Sequence, residues 1–431
     1  MSLGATSGFV APEDPEQQAI KRAFENGIIV SVSAGNSSMF GDGYFYPYTS
    51  NPDYGVVGTP GVSYYSTQVA SLENSYLVSS EAIYTIGEEE TSAPYLSAGQ
   101  TPPTIGETYE LVYAGLGYPE DFVGKDFTGK FALIKRGELA FVDKTLNAQA
   151  AGAAGVIIYN NTDGVVNMAT DPAIVIPQLF MLKSDGDRMA AALQDGKTVT
   201  VTFTGKVAAV PNPEAGLLSD FSSWGLTPNL DFKPEILAPG GQIYSTVNDN
   251  QYETMSGTSM AAPHVAGGSA LVLERVDDEF GLEGFDRANL AKNLMLNTAQ
   301  PIEFDGAYLS PRGQGAGLMQ LHAALSTPVV VTYEKTGEAK VPLKEVKGNA
   351  VTFKLVAENL SDEDATYVVT GNAQTDYPVN AGGGLYVVAP KLFGSLDLGN
   401  VVRINGKTSD TVTVPAGGKT TIQVSVDVSG W

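Results

Sequence analysis

The stretch with the clearest chemical content covers residues 256–267 and reads Ser-Gly-Thr-Ser-Met-Ala-Ala-Pro-His-Val-Ala-Gly. Ser259 lies where a glycine-containing turn gives way to the pattern of a helix. A serine at a helix N-terminus is surrounded by free backbone N–H groups and by the positive end of the helix dipole. This setting suits a nucleophile whose substrate carbonyl becomes an oxyanion during attack. The pattern therefore indicates covalent catalysis by a serine hydroxyl.

A serine hydroxyl needs a base to accept its proton, and this chain offers few candidates. The sequence contains 2 His and 0 Cys. His264 follows Ser259 on the same predicted helix, and His322 lies on a short apolar helical stretch, so we expect a structural or solvated role for both. Without cysteine the chain can have no disulfide, no thiol nucleophile and no Cys-ligated zinc.

The elements that must position Ser259 alternate between helix and strand, which is typical of an α/β sheet. Apolar residues at helical spacing over residues 15–26, followed by Gly27, predict a helix that ends at the glycine. The apolar run over residues 28–34 predicts a parallel strand that is buried on both faces.

The same alternation resumes after about residue 213. Residues 236–240 predict a strand and residues 260–276 predict a long helix whose small side chains allow close packing on a sheet. We expect Pro263 to lie in the first turn of this helix, where a missing N–H group leaves little unsatisfied.

Between these two parts lies a stretch of different character, which predicts a separate α+β module. Residues 131–134 and 155–159 have the pattern of buried strands, residues 144–154 form an Ala-rich helical pattern, and residues 199–203 alternate as a strand does. This stretch contains no histidine and no recognisable nucleophile motif.

The end of the chain changes pattern again. Apolar and polar residues alternate over residues 351–357 and 422–428, and Gly/Pro turns separate such runs, which predicts an antiparallel β-sandwich over residues 327–431. The acidic run at residues 362–364 lacks the ligand spacing of a calcium loop and is expected to be a solvated turn.

Composition excludes several classes of function. The net charge of −23 over 431 residues disfavours binding to nucleic acid, whose phosphates it would repel. No apolar run approaches the ~18 residues of a membrane span, and the first residues lack the basic and apolar regions of a signal peptide. The sequence does not define the oligomeric state.

Several segments together resemble one family, the subtilisin-like serine proteases. Residues 257–267 resemble its nucleophile signature, and Ser33-Ala34-Gly35-Asn36 resembles its oxyanion segment. Residues 221–225 and 233–240 resemble the strands that precede the nucleophile, and Ser2-Leu3-Gly4 resembles the substrate-binding edge strand.

The remaining parts resemble accessory domains found in that family. The module between the two α/β parts is similar to a protease-associated (PA) domain, most clearly over residues 129–137 and 151–158. The last part of the chain is similar to the fibronectin-III-like domain that follows the protease in lactocepin-type cell-envelope proteinases.

This resemblance implies a fold. It predicts a subtilisin-like α/β domain, with a parallel sheet and helices on both faces, over residues 1–71 and 214–326. A PA-like α+β insert occupies residues 72–213, and a fibronectin-III-like β-sandwich occupies residues 327–431.

The resemblance also implies roles residue by residue. Ser259 matches the nucleophile and Asn36 matches the side-chain donor of the oxyanion hole, which works beside the Ser259 backbone N–H. The walls that bind the substrate backbone and the side chain before the cut match six residues: Ser2, Leu3, Gly4, Ser33, Ala34 and Gly35.

The same resemblance implies protein or peptide substrates, no organic cofactor, and a secreted or cell-surface location. We expect neither a signal peptide nor a wall anchor within these 431 residues. Calcium is common in the family, but no loop here identifies metal ligands.

One feature departs from the family. Subtilisin-like enzymes carry their residues in the order Asp, His, Ser, and only Met1 precedes Ser2, so the acid and base segments are missing. We therefore expect a fragment of a serine endopeptidase, truncated at its N-terminus and inactive alone.

Two other interpretations are open at this point. The first is an α/β-hydrolase, because residues 257–261 are close to a G-x-S-x-G elbow and Asp305 and His322 follow in the order of that family, although its fifth position is Ala261. The second is a pseudo-protease that binds proteins without cleaving them.

Overall fold

A computed structural model describes residues 1–38, 55–99, 101–166, 168–304, 306–375, 378–382, 385–388 and 396–430. The chain divides into two compact units. The main unit consists of Met1–Glu73, Gly216–Gly241 and Ser256–Trp431, and the insert unit consists of Asn74–Ala215 and Gln242–Met255.

Helices and strands are numbered along the chain. The α-helices are α1 Pro15–Glu25, α2 Phe141–Ala150, α3 Lys183–Gln194, α4 Thr258–Phe280, α5 Gly284–Thr298, α6 Pro311–Gln314 and α7 Leu321–Ser326. The strands of the insert unit are β3 Tyr76–Ile86, β4 Glu89–Ala98, β5 Thr108–Tyr113, β6 Phe131–Lys135, β7 Gly155–Tyr159, β8 Gln178–Met181, β9 Val199–Pro211, β11 Ile243–Val247 and β12 Gln251–Met255.

The remaining strands belong to the main unit. They are β1 Val30–Ser33, β2 Ser66–Glu73, β10 Ile236–Gly241, β13 Glu303–Phe304, β14 Ala307–Tyr308, β15 Val329–Tyr333, β16 Ala350–Asn359, β17 Ala365–Thr370, β18 Gln374–Thr375, β19 Pro378–Gly382, β20 Leu385–Val388, β21 Leu396–Asp397, β22 Val402–Ile404, β23 Ser409–Val414 and β24 Lys419–Asp427.

A parallel sheet with the strand order β1–β2–β10 forms the centre of the main unit. All eight residues of the middle strand β2 are buried. Successive residues of a strand point to opposite faces: Val69 belongs to a core shared with α4 and α5, and Ala70 belongs to a core that contains Trp224. The short helix α6 approaches Trp224 through Gly313. The predicted α/β sheet is confirmed.

Helix α1 shows how local sequence sets the ends of an element. The Asp14 side chain accepts hydrogen bonds from the Glu16 and Gln17 N–H groups and so caps the first turn. The helix ends at Glu25, and Gly27 takes the left-handed backbone conformation (φ +80°) that follows many helices. The prediction for this helix is confirmed.

Three local predictions are wrong in detail. Helix α2 ends at Ala150 because Gly152, at φ +85°, turns the chain before the alanines at 153 and 154. Residues 221–225 begin with a turn at Phe221 and contain no strand. Pro263 is the sixth residue of α4, beyond the first turn, because the helix begins at Thr258, earlier than predicted.

The insert unit is a closed barrel with the strand order β3–β4–β8–β7–β6–β5–β9. Strands β5 to β8 pair in parallel, and the other neighbours are antiparallel. Aromatic side chains fill the interior, with Phe131 and Phe203 at a ring-centroid distance of 5.4 Å. The strands predicted over residues 131–134, 155–159 and 199–203 are confirmed.

The hairpin formed by β11 and β12 clusters with the barrel. Thr254 donates a hydrogen bond to the Val78 carbonyl of β3, and the rings of Tyr244 and Tyr252 stack on each other. The sequence predicted no hairpin here.

The end of the chain contains a four-stranded antiparallel sheet with the order β15–β16–β24–β22 and an antiparallel pair of β17 and β23. Alternate residues point into a common core, which includes Val412, Val414, Ile422 and Val424. The period-two pattern predicted over residues 422–428 is confirmed at Ile422 and Val424. None of the helices in the described ranges combines the length and hydrophobicity that a bilayer crossing requires.

Candidate active site

Ser259 is the second residue of α4 and is partly buried. The turn before it is tied to the end of β10, because the Gly257 N–H donates to the Gly240 carbonyl at 2.8 Å. A Cβ atom on Gly240 would lie 2.4 Å from the Ser71 Oγ and 2.7 Å from the Gly257 carbonyl oxygen. Only glycine allows the sheet and the start of the helix to approach this closely.

Asn36 lies against this helix start with a defined orientation of its carboxamide. Its Oδ1 accepts hydrogen bonds from the Thr258 N–H at 3.0 Å and from the Thr258 hydroxyl at 2.9 Å. Because a backbone N–H can only donate, the carboxamide oxygen must face Thr258. Nδ2 then lies beside Gly257, 3.3 Å from the position of a Cβ atom on that glycine. It has no hydrogen-bond partner in the described part of the chain and can donate to an incoming oxygen.

The turn that carries Asn36 is held from two sides. The Gly35 N–H donates to the Thr258 Oγ1 at 3.1 Å. Ser223 accepts from the Ser37 N–H at 3.0 Å through its Oγ and donates its own N–H to the Gly35 carbonyl. Gly35 has φ +109°, and a Cβ atom there would lie 2.8 Å from the Ser223 Oγ. Sequence reasoning missed both Thr258 and Ser223 as supports of Asn36.

The segment of residues 1–4 reaches Ser259 directly. The Ser2 Oγ donates to the Ser259 carbonyl at 2.8 Å, and the Ser259 Oγ lies 3.5 Å from the Ser2 carbonyl. The segment runs along the end of β1, where the Ser33 N–H donates to the Met1 carbonyl and the Ser33 Oγ donates to the Leu3 carbonyl. Backbone N–H groups of residues 2–4 make no hydrogen bond within the described ranges.

The predicted wall at residues 33–35 is mostly covered. Ala34 is fully buried and Ser33 is 5% exposed, so that Gly35 is the part that reaches the surface. The N–H and carbonyl groups of Ala34 are used by Val69 and Gly58, respectively. In this structure the backbone N–H and carbonyl groups of Ala34 and Gly35 are all hydrogen-bonded. The segment can therefore contact a ligand through its surface but has no free backbone group of these two residues to offer it.

Neither histidine is hydrogen-bonded to Ser259 in this structure. His264 is exposed, and its Nδ1 donates to the Met260 carbonyl at 2.8 Å. His322 is exposed on α7. Asp305, the acid of the α/β-hydrolase alternative, lies outside the described residues. Among the described residues, the site therefore places a serine hydroxyl at a helix start beside a carboxamide N–H without a partner, and no imidazole is hydrogen-bonded to that hydroxyl.

A second polar cluster lies buried at the start of β10. Sequence reasoning did not predict this cluster either. The Glu235 Oε1 lies 3.0 Å from the Lys292 Nζ and 2.7 Å from the Lys340 Nζ. Its Oε2 lies 3.1 Å from the Lys233 Nζ and accepts from the Gln68 N–H at 3.3 Å. This Glu235 cluster brings together residues from four separate stretches of the chain.

Burial and charge act against each other in the Glu235 cluster. Burial lowers the pKa of Lys233 to about 7, against the attraction of the Glu235 carboxylate. Burial acts to raise the pKa of Glu235, but the three lysine charges outweigh it and hold that pKa well below its usual range. Burial acts to lower the pKa of Lys340, but Glu235 and Asp231 outweigh it and raise that pKa. Glu235 is therefore ionised in the folded protein.

Within the described ranges, no group of three or more His, Cys, Asp or Glu side chains is placed to hold a metal ion.

Comparison with known proteins places these observations in a family. Residues 1–321 match the model of the subtilase family, and residues 341–431 match the model of an Fn3-like domain. The chain is 33% identical over 434 residues to a C5a peptidase of Streptococcus pyogenes serotype M1, covering 100% of this chain and 35% of that protein. It is 36% identical over 410 residues to a PII-type proteinase of Lactococcus lactis subsp. cremoris, covering 87% of this chain and 21% of that protein.

Among solved structures, the psychrophilic subtilisin-like protease Apa1 from the Antarctic psychrotroph Pseudoalteromonas sp. AS-11 aligns at 19% identity and a TM-score of 0.40. The alignment covers 75% of this chain and 68% of that one. The chain spans about a third or less of the length of the two curated relatives described above.

Proposed function

Because the chain belongs to the subtilase family of serine peptidases, we propose that the protein is an endopeptidase that cleaves protein substrates through Ser259. The observation that carries this proposal is the orientation of Asn36. Its oxygen is held twice by Thr258, and its nitrogen, which has no partner among the described residues, lies beside the turn that leads to Ser259.

The proposed reaction has two stages. The Ser259 Oγ attacks the carbonyl carbon of the scissile bond as a base takes its proton, and the new oxyanion accepts hydrogen bonds from the Asn36 Nδ2 and the Ser259 N–H. The proton passes to the leaving amine when the C–N bond breaks. Water then attacks the ester on Ser259, and the acid product and the free hydroxyl result.

Substrate binding is proposed to use the segment of Ser2, Leu3 and Gly4 and the wall of Ser33, Ala34 and Gly35. The backbone N–H groups of residues 2–4, which have no partner in the described ranges, can pair with an extended peptide as an added strand does. At the second wall the accessible surface belongs to Gly35, whose lack of a side chain leaves room for a substrate side chain.

The 431-residue chain alone is proposed to be inactive, because neither of its 2 His is hydrogen-bonded to Ser259 in this structure. A fluorophosphonate probe, which labels activated serines, should leave Ser259 unmodified in this chain at neutral pH. Stoichiometric labelling of Ser259 would show that the chain activates its nucleophile by itself.

The endopeptidase proposal is tested in a longer form of the protein that carries an acid and a base segment. Cleavage of a protein substrate should be measured there with Ser259 and with Ser259→Ala, and the variant should lose all turnover. Cleavage that persists in Ser259→Ala would contradict the proposal. If such a form binds a protein substrate and never cleaves it, the alternative of a non-catalytic, protein-binding pseudo-protease is favoured.

The insert unit is proposed to be a PA-like domain that binds protein substrates. None of the residues assigned to the site belongs to it, and binding energy gathered away from the scissile bond matters only for substrates long enough to reach it. On the resemblance to cell-envelope proteinases, we also propose a secreted or cell-surface location for the protein.

The role of the insert can be tested in the active, longer form by replacing residues 75–208 with a Gly/Ser linker and residues 244–253 with a short turn. Both changes are needed because the hairpin packs on the barrel. The kcat/KM for tetrapeptides should be retained, and that for protein substrates should fall. Equal losses for both substrate classes in a folded variant would mean that the insert supports the main unit and does not select substrates.

A further inference from the structure

Pro263 creates a gap in the hydrogen bonds of α4. A helical residue donates its N–H to the carbonyl four positions earlier, and for residue 263 that carbonyl belongs to Ser259. Proline has no N–H to donate. The backbone of the nucleophile therefore lacks the bond that would otherwise hold it in the helix.

Ser2 supplies a donor at this gap. Its Oγ lies 2.8 Å from the Ser259 carbonyl oxygen, within the range of a good O–H···O bond. Other carbonyls near the start of α4 are also bonded by side chains: Met260 accepts from the His264 Nδ1 and Ala262 accepts from the Ser31 Oγ. Ser2 differs because it bonds the residue that carries the nucleophile.

We propose that Ser2 is a positioning residue for Ser259, a role that rests on the proposed peptidase function and goes beyond the wall that binds substrate. The Ser2 hydroxyl replaces the helix bond that Pro263 cannot make and fixes the Ser259 carbonyl. The peptide plane after Ser259 is thereby held, and with it the direction of the Cα–Cβ bond that carries Oγ. In the part of the chain that the structure describes, the hydrogen bond of the Ser259 Oγ is a long one of 3.5 Å to the Ser2 carbonyl, so this hydroxyl can turn toward a base.

The contact can be tested in this chain without any activity. Labelling serine carbonyls with ¹³C and methionine amides with ¹⁵N selects Ser-Met pairs, of which the sequence has two, at residues 38–39 and 259–260. The Ser259→Ala variant identifies the second signal by its loss. Ser2→Ala should move the Ser259 carbonyl resonance upfield, as loss of a hydrogen bond does, and Ser2→Thr should keep it in place. An unchanged resonance in Ser2→Ala would overturn the proposal.

Pro263→Ala provides a matched control, because it restores a backbone N–H opposite the Ser259 carbonyl. In that background the shift caused by Ser2→Ala should become much smaller. An equally large shift in both backgrounds would mean that the hydroxyl does not substitute for the helix bond, and the proposal would be wrong.

The consequence for catalysis is measured in a form of the protein with Ser259-dependent cleavage. Ser2→Ala should lower kcat about three- to tenfold with little change in KM, the range expected for one lost hydrogen bond. Ser2→Thr should restore kcat. A raised KM with full kcat would overturn the positioning role and leave Ser2 as a substrate contact. If no form shows cleavage that depends on Ser259, the proposed function fails, whereas the carbonyl shift still decides whether Ser2 holds Ser259.

Discussion

Two polar networks of the main unit use similar contacts and differ in what they leave unpaired. At Glu235 both carboxylate oxygens are contacted by donors. At Asn36 the oxygen is bonded twice, and the nitrogen has no partner in the described part of the chain. A buried charge must be paired to be tolerated, whereas an oxyanion hole must keep a donor open. The Glu235 cluster is therefore suited to stabilising the fold. The Asn36 network is suited to binding an oxyanion, because it keeps one donor available.

The largest expected effect comes from Glu235→Gln, which removes the carboxylate that three buried lysines share. The free energy of unfolding should fall by about 3–5 kcal/mol, as for other broken buried ion pairs. Urea denaturation measures it. Glu358→Gln is a matched control, because its partner Lys419 is exposed and such surface pairs contribute about 0–1 kcal/mol. Similar losses in both variants would remove the distinction between a buried cluster and a surface pair.

The same contribution should depend on pH. The pKa of Glu235 is lower in the folded protein than its ordinary value of 4.5. The stability it provides is therefore fully present above that ordinary value and is lost as the pH falls toward the folded pKa. The free energy of unfolding should decrease less steeply in acid for Glu235→Gln than for the unchanged protein. If the free energy of unfolding falls equally steeply in acid for both proteins, the pKa of Glu235 is the same in the folded and unfolded states.

The next effect concerns activity. In an active form, Asn36→Ala should lower kcat by about 10²–10³-fold with little change in KM, the loss known for the corresponding donor of subtilisin. Asn36→Asp is a sharper variant: its carboxylate can still accept from Thr258 but has no N–H to donate. It should fold normally and lose at least as much kcat. Full kcat in either variant would contradict the oxyanion role of Asn36.

The smallest effect should follow from Thr258→Val. The change removes the hydroxyl that accepts from Gly35 and donates to Asn36, but the Thr258 N–H still holds the carboxamide oxygen. We expect kcat to fall about three- to tenfold, as for one or two neutral hydrogen bonds. Thr258→Ser keeps the hydroxyl and should keep kcat. An equal loss in the serine variant would point to packing of the methyl group in place of the hydrogen bonds.

Local sequence predicted those parts of the fold that depend on local patterns. Strand β7 begins and ends where the apolar run does, and α1 ends where Gly27 indicates. The position of Ser259 at a helix start was also predicted, because the glycine turn and the helical pattern that follows it are adjacent in the sequence. The start of α4 was placed too late, since Thr258 and Ser259 carry little helix propensity of their own.

Both networks depend on contacts that no local pattern encodes. Thr258 is 222 residues from Asn36, and Ser223 is 186 residues from Ser37. In the Glu235 cluster, Lys292 and Lys340 carry no local sign that they will be buried, since lysines are usually solvated. Their roles depend on how the sheet and helices pack. Glu235 is far from both lysines in the sequence, so only the folded structure identifies it as their partner.

Lys340 has a consequence for how such proteins can exchange domains. It lies directly before the part of the chain that matches the Fn3-like model, yet its ammonium is 2.7 Å from Glu235. Glu235 directly precedes β10, and the end of β10 is hydrogen-bonded to the turn before Ser259. Recombination that joined a new C-terminal module just after α7 would discard one of the three counterions of a buried carboxylate. A crossover placed after Lys340 would retain it. The position at which a C-terminal module can be exchanged is therefore set by the ion pair between Lys340 and Glu235, and it lies beyond α7.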